Sequence, residues 1–148
     1  MIQNNYPRAN AFLARVREKD RELKELRMKL RYLRDISTSI TSKISDMPHT
    51  PSPNVHNAEE LMTTIIDLEK EIADAEISRA EIRADIALRL TEWLDADAAG
   101  IMIRRYSEGM QWSAIVSETG LSDRTIFRLH HDALPVIEAA LQSAEIGS

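Results

Sequence analysis

Residues 98–134 read AAGIMIRRYSEGMQWSAIVSETGLSDRTIFRLHHDAL, and their spacing decides the fold of this part of the chain. A first helix runs to about Tyr106 and stops at Ser107-Glu108-Gly109. A short second helix follows from Gln111 to Glu118, with Trp112, Ile115 and Val116 on its inner face. It ends at Thr119-Gly120, where glycine adopts the left-handed conformation that stops a helix and turns the chain. Leu121 plugs the corner, and the Ser122 hydroxyl is placed to cap the next helix by accepting from a backbone N–H one turn in. That helix, Asp123 to about His131, divides by the helical period into a packing side, Ile126, Leu129 and Ala133, and a presented side, Arg124, Phe127, Arg128 and His131. The pattern is that of a helix-turn-helix.

In such a unit the second helix enters the major groove of double-stranded DNA and reads bases with its N-terminal half. Ser122 and Asp123 open that helix, and Arg124 and Arg128 lie one turn apart, each within reach of guanine O6/N7 or a phosphate. Thr125 and Phe127 offer a methyl and a ring to thymine, and His131 is a phosphate neighbour. The alternative for the same residues is an ordinary three-helix packing unit with two surface arginines.

The stretch YSEGMQWSAIVSETGLSDRTIFRLHHDAL resembles region four of primary sigma factors and the related module of phage regulators. The earlier SDMPHTPSPNVHNAEELMTTIIDLEKEI is similar to prophage proteins that carry a helical region before that module. Those in turn resemble late-gene activators of the ArpU and RinA type. The similarity runs from about Arg15 to Leu141; it implies a helix-turn-helix fold and, less specifically, transcriptional regulation of phage or prophage genes. One departure is Val116, where the pattern usually has alanine at a close approach of two helices.

The 148 residues leave room for one ordinary domain, or a small domain with an extended element. Only four glycines and five prolines are present, three of the prolines within Pro48 to Pro53, so an all-α protein is expected. The chain has no cysteine, which excludes disulfides and thiolate chemistry. It has no apolar run long enough to span a bilayer, and the polar Met1–Asn10 does not read as a signal peptide, so a cytoplasmic, non-membrane protein is expected. Net charge is −5 and unevenly spread. Residues 1–47 carry eleven Lys/Arg against six Asp/Glu (+5), residues 48–97 four against twelve (−8), and residues 98–148 four against six (−2).

From Ala9 to Met47 the apolar residues repeat every seven. One column reads Ala9, Val16, Leu23, Leu30, Ser37, Ile44 and the other Phe12, Lys19, Leu26, Leu33, Ile40, Met47. This is a coiled-coil seam broken at Lys19 and Ser37, with Leu13 and Ile36 beside the gaps. Ser37–Ser45 has weaker helix propensity, so a frayed or bent end is expected. The Pro-rich 48–56 reads as a loop, with Asn57 as the N-cap of a second arm running to about Asp95. Its columns are Ala58, Ile65, Ile72, Arg79, Ile86, Trp93 and Leu61, Leu68, Ala75, Ile82, Arg89. Two arms of opposite charge joined by a short loop imply an antiparallel helical hairpin over 1–97, ahead of the helix-turn-helix domain at 98–148. Ile66, Ile77, Leu88 and the column Ala73, Ala80, Ala87 are left over, which implies a homodimer or docking of the DNA-binding unit on the hairpin base. The junction 95–99 is short enough for the second arm to run almost directly into the next helix. Pro135 is expected to start a last helix whose Val136, Ile137, Ala140 and Leu141 close the core, with Gly147 and Ser148 as a disordered tail.

No enzyme is expected. The carboxylates of Asp67–Asp74 read as a solvated face in salt bridges. His49 and His56 fall in the proline loop, and the adjacent His130 and His131 point to different sides of a helix, so no metal or other cofactor is expected. There is no phosphate-cradling glycine loop and no nucleophile constellation, hence no small-molecule substrate. Two other readings share these features: a small-terminase-like DNA-packaging adaptor, and a protein-interaction module binding RNA polymerase without reading DNA, favoured by Glu118 and Asp123 near the presented face.

Overall fold

The computed structural model describes residues 5–46 and 53–147, and these form an all-α protein with no strand among the described residues. The helices are α1 (Pro7–Leu13), α2 (Arg15–Asp46), α3 (Pro53–Trp93), α4 (Ala96–Tyr106), α5 (Trp112–Thr119) and α6 (Asp123–Gly147). No described helix is long and apolar enough to cross a membrane. By packing, the chain divides into two compact units: the described residues of Asp20–Ser78, and those of Met1–Lys19 together with Arg79–Ser148.

In the unit of residues 20–78 the described members of the heptad columns are buried or half-buried. Leu23, Leu68, Ile72 and Ala75 form a core flanked by the partly buried Leu26, Leu30 and Leu33. Arg27 reaches Glu76 at 2.9 Å and Arg34 reaches Glu69 at 3.4 Å, so α2 and α3 run antiparallel here with basic facing acidic residues. All four side chains are about half exposed, and pairs of this kind fix register more than they stabilise. Met62, Ile66 and Ile77 remain exposed on α3, as do Met28 and Tyr32 on α2. The weak stretch after Ser37 stays helical to Asp46. Its Thr38 and Thr41 hydroxyls donate back to the carbonyls of Arg34 and Ser37, supplying locally the bonds that such residues otherwise seek outside a helix.

Several expected boundaries move. The second arm begins at Pro53 rather than Asn57, so residues 53–56 of the expected loop are helical and Asn57 is not an N-cap. Proline at a first helical position lacks only an N–H that has no partner there anyway. Residues 48–52 of that loop lie outside the described residues, as does Met47. The first arm is not one helix from Ala9: it starts at Pro7 and is interrupted at Ala14. The second arm ends at Trp93, and after Leu94 and Asp95 alone the next helix begins, as the short junction implies, with the Asp95 carboxylate capping α4 by accepting from the Ala98 N–H at 3.0 Å.

The second unit holds two cores. The larger joins Ala9, Phe12, Leu13 and Val16 to Ile86 and Leu90 of α3, Met102 of α4, and Ala133, Leu134 and Ile137 of α6. The smaller joins Ile101 of α4, Ile115 of α5 and Ile126 of α6. α6 is one continuous helix with Pro135 inside it, so Pro135 does not start a separate helix. Leu134 and Ile137, 1% and 0% exposed, hold the chain helical on both sides of the proline. Val136 is 45% exposed and takes no part in the core, while Gly147 belongs to α6 and not to a tail. Glu138 ties α1 to α6: its carboxylate accepts from the Ala9 N–H at 2.9 Å and from Arg8 at 3.1 Å.

Candidate nucleic-acid interface

The end of α4 sets the position of the α5–α6 pair. Ser107 is 4% exposed; its hydroxyl donates to the Arg83 carbonyl at 3.0 Å, and the Arg83 Nε donates to the Ser107 carbonyl at 2.9 Å. This reciprocal clasp fixes the last turn of α4 against α3. Gly109, at φ 73°, then reverses the chain. Arg105 donates to the Met110 carbonyl at 3.0 Å and lies 4.7 Å above the Trp112 ring, which seats the start of α5 although Gln111 supplies no side-chain cap.

The turn between α5 and α6 uses the chemistry that its sequence announces. Gly120 is at φ 71°, and its N–H donates to the Val116 carbonyl at 2.9 Å. The Thr119 hydroxyl donates to the Ile115 carbonyl and accepts from the Leu121 N–H. Leu121 packs on the Ile101–Ile115–Ile126 core. The Ser122 hydroxyl accepts from the Thr125 N–H at 3.2 Å and donates to the Thr125 hydroxyl at 3.0 Å. Both side chains are thus engaged in starting α6; the Thr125 hydroxyl accepts there and keeps its own O–H, with the methyl, to offer.

Beyond the cap, the two sides of α6 separate as the spacing requires. Ile126 and Ala133 are buried and Leu129 half-buried, whereas Asp123, Arg124, Phe127, Arg128 and His131 lie on the more open side. Arg124 and Arg128 make no ion pair among the described residues. Phe127 is 56% exposed and leans on Trp112 with ring centroids 5.9 Å apart. Glu118, near the end of α5, is drawn back by Arg104 at 3.3 Å.

Tyr106 and His130 are brought together without any sequence signal for their pairing. The Tyr106 hydroxyl lies 2.7 Å from His130 Nε2, the rings stack at 5.8 Å, and His130 meets Trp112 edge-on at 5.3 Å. Burial, with the charges of Arg105 and His131, pushes the His130 imidazole below its ordinary pKa. Burial also raises the Tyr106 phenol, against the opposing pull of Arg105 and Arg17. Both groups are therefore neutral at physiological pH. Among the described residues no three His, Asp or Glu side chains come together as a metal site, and every buried side-chain N or O has a hydrogen-bond partner.

No protein-family model matches the chain, and comparison with curated proteins and with solved structures returns no match.

Proposed function

We propose that the protein is a sequence-specific DNA-binding regulator, not an enzyme, in which α5 and α6 form a helix-turn-helix and the antiparallel arms of α2 and α3 form a helical hairpin. The observation that carries this reading is the surface of α6. A serine-capped helix leaves a left-handed glycine turn and presents Arg124 and Arg128, unpaired and one turn apart, beside an exposed Phe127. Two guanidiniums so placed can each grip a guanine edge or a phosphate, and each good bidentate contact contributes about 1–3 kcal/mol of discrimination. Ser122, Asp123 and Thr125 set the start of the helix, Phe127 supplies an apolar contact to a thymine methyl, and His131 lies one turn beyond Phe127 for the backbone. The Arg104–Glu118 pair favours DNA over a purely protein partner, because it neutralises an acid that would repel phosphate.

Net charge of −5 leaves little sequence-independent affinity, so tight binding calls for two modules on one site. The exposed apolar residues of α3 suit a homodimer, with RNA polymerase as the alternative partner of that surface. The sigma-like resemblance of 106–134 and the prophage character of the preceding arm point to phage or prophage genes in the cytoplasm. Selection of bound sequences from a random DNA pool tests the reading. A single enriched motif is expected from the wild type and none from Arg124→Ala/Arg128→Ala, with the double variant keeping its far-UV circular dichroism. An equal enrichment by both proteins would overturn it.

A further inference from the structure

A recess of about 350 Å³ lies between α1, the start of α2, the end of α4 and α6. It opens beside Ala14, between α1 and α2, and its floor is apolar, with Leu13 and Leu134. Its polar groups are Asn10, Arg17, Tyr106 and His130, and no carboxylate lines it. That is unusual in a chain with 24 acids, where Arg8, Arg15, Arg27, Arg34, Arg89 and Arg104 each hold a carboxylate. Arg17 forms no ion pair among the described residues.

We propose that this recess seats a phosphate group, gripped by the Arg17 guanidinium and the Tyr106 hydroxyl. Guanidinium offers a planar fork of donors that matches two phosphate oxygens at once. Tyr106 supplies a second donor through its neighbour. When His130 carries its proton on Nε2, the imidazole donates to the phenol oxygen across their 2.7 Å contact, and the phenol O–H is free to point into the recess. A hydrogen bond received in this way polarises the O–H and strengthens what it donates. A neutral imidazole and a protonated phenol are the states this relay needs, and burial favours both. The volume exceeds a bare phosphate, leaving room for a sugar over Leu13 and Leu134.

Two sources carry this chemistry: a backbone phosphate of DNA lying on α6, which rests on the regulator reading, and a free sugar phosphate, which does not. Inorganic phosphate titrated into the full chain, with chloride at equal ionic strength as the control, tests the seat without DNA. Saturable shifts of the His130 ring and Trp112 indole NMR signals are expected for phosphate alone, weakened about tenfold or more in Arg17→Gln and less in Tyr106→Phe. Absence of a phosphate-specific shift in the wild type, or one that survives Arg17→Gln, would overturn the proposal. Salt dependence of DNA binding then separates the sources. A slope smaller by about 0.9 in Arg17→Gln assigns the seat to a DNA phosphate, and an unchanged slope in a variant that has lost the wild type's inorganic-phosphate response assigns it to a free one.

Discussion

Replacing Glu138 by alanine removes one carboxylate that does two jobs. Its Oε1 accepts from the Ala9 N–H at 2.9 Å, serving as an N-cap for α1 supplied from α6, while Oε2 holds Arg8 at 3.1 Å. A lost N-cap costs about 1 kcal/mol. The ion pair adds little to this, since the Arg8 guanidinium is exposed to solvent although the Glu138 side chain is only 13% exposed. The expected loss is therefore about 1 kcal/mol, or roughly 2–4 °C in melting temperature for a chain of this size. Glu145 binds the same arginine at 2.9 Å but is 61% exposed, so Glu145→Ala is expected to cost less than Glu138→Ala. Urea unfolding followed by tryptophan fluorescence measures both, because Trp93 and Trp112 lie in the unit that α1 and α6 share. The pH dependence has a definite sign. Desolvation raises the Glu138 carboxyl, but the Ala9 N–H and Arg8 outweigh it and hold the folded pKa below the ordinary glutamate value. Its contribution is therefore present above the unfolded pKa and is lost as pH falls through the folded one. The gap between wild type and Glu138→Ala should close in acid. Equal stability of Glu138→Ala and Glu145→Ala at neutral pH, or a gap that persists in acid, would refute the capping argument.

The turn and the aromatic cluster each allow a further test. Gly120→Ala places a side chain at φ 71° and should destabilise by about 1 kcal/mol in the same urea assay, although its Cβ would meet no atom within 4 Å; Gly147→Ala, at the end of α6, should change little. The His130 imidazole should titrate below the ordinary histidine range in an NMR pH series, because burial opposes its charge. The unfolded chain then takes up its proton first, so this group's contribution to stability is present above the unfolded pKa and declines as pH falls below it.

Local signals were enough for the turn and for the seams. Gly120, Ser122 and Leu121 act within a few residues of one another, and the columns through Leu23 and Leu68 repeat over several turns, so neither needs knowledge of the rest of the chain. What stayed illegible depends on partners far away in sequence. Ala9 and Glu138 are 129 residues apart, and the clasp of Arg83 on Ser107 spans 24, with no periodic pattern to mark either. Pro135 misleads for a related reason. Interior proline costs about 3 kcal/mol, which argues locally for a break, yet Ala133, Leu134 and Ile137 are buried against α1, α3 and α4 and outweigh it. The carbonyl that the proline leaves without a helical donor belongs to His131, on the open side of α6 where water can reach it. Tyr106 and His130 were visible as residues, but their pairing is set by the crossing of α4 and α6.

The same long-range packing decides what the α4–α6 segment can do by itself. Of the larger core, Met102, Ala133, Leu134 and Ile137 come from residues 98–148, while Ala9, Phe12, Leu13, Val16, Ile86 and Leu90 come from before them. Removing residues 1–97 would bare Met102, Leu134 and Ile137, now 0%, 1% and 0% exposed. Each buried side chain of this size contributes about 1.5–3 kcal/mol, so the loss is on the order of 5–9 kcal/mol, comparable to the whole stability of a small domain. The three isoleucines Ile101, Ile115 and Ile126 would be left as the main core. A fragment 98–148 is therefore expected to lack a cooperative thermal transition and dispersed amide NMR signals, and addition of a 5–19 peptide to a fragment 79–148 should restore both. A well-dispersed spectrum from 98–148 alone would show that the α5–α6 turn and its Ile115 core suffice, and would free α1 and the end of α3 from any part in holding α6.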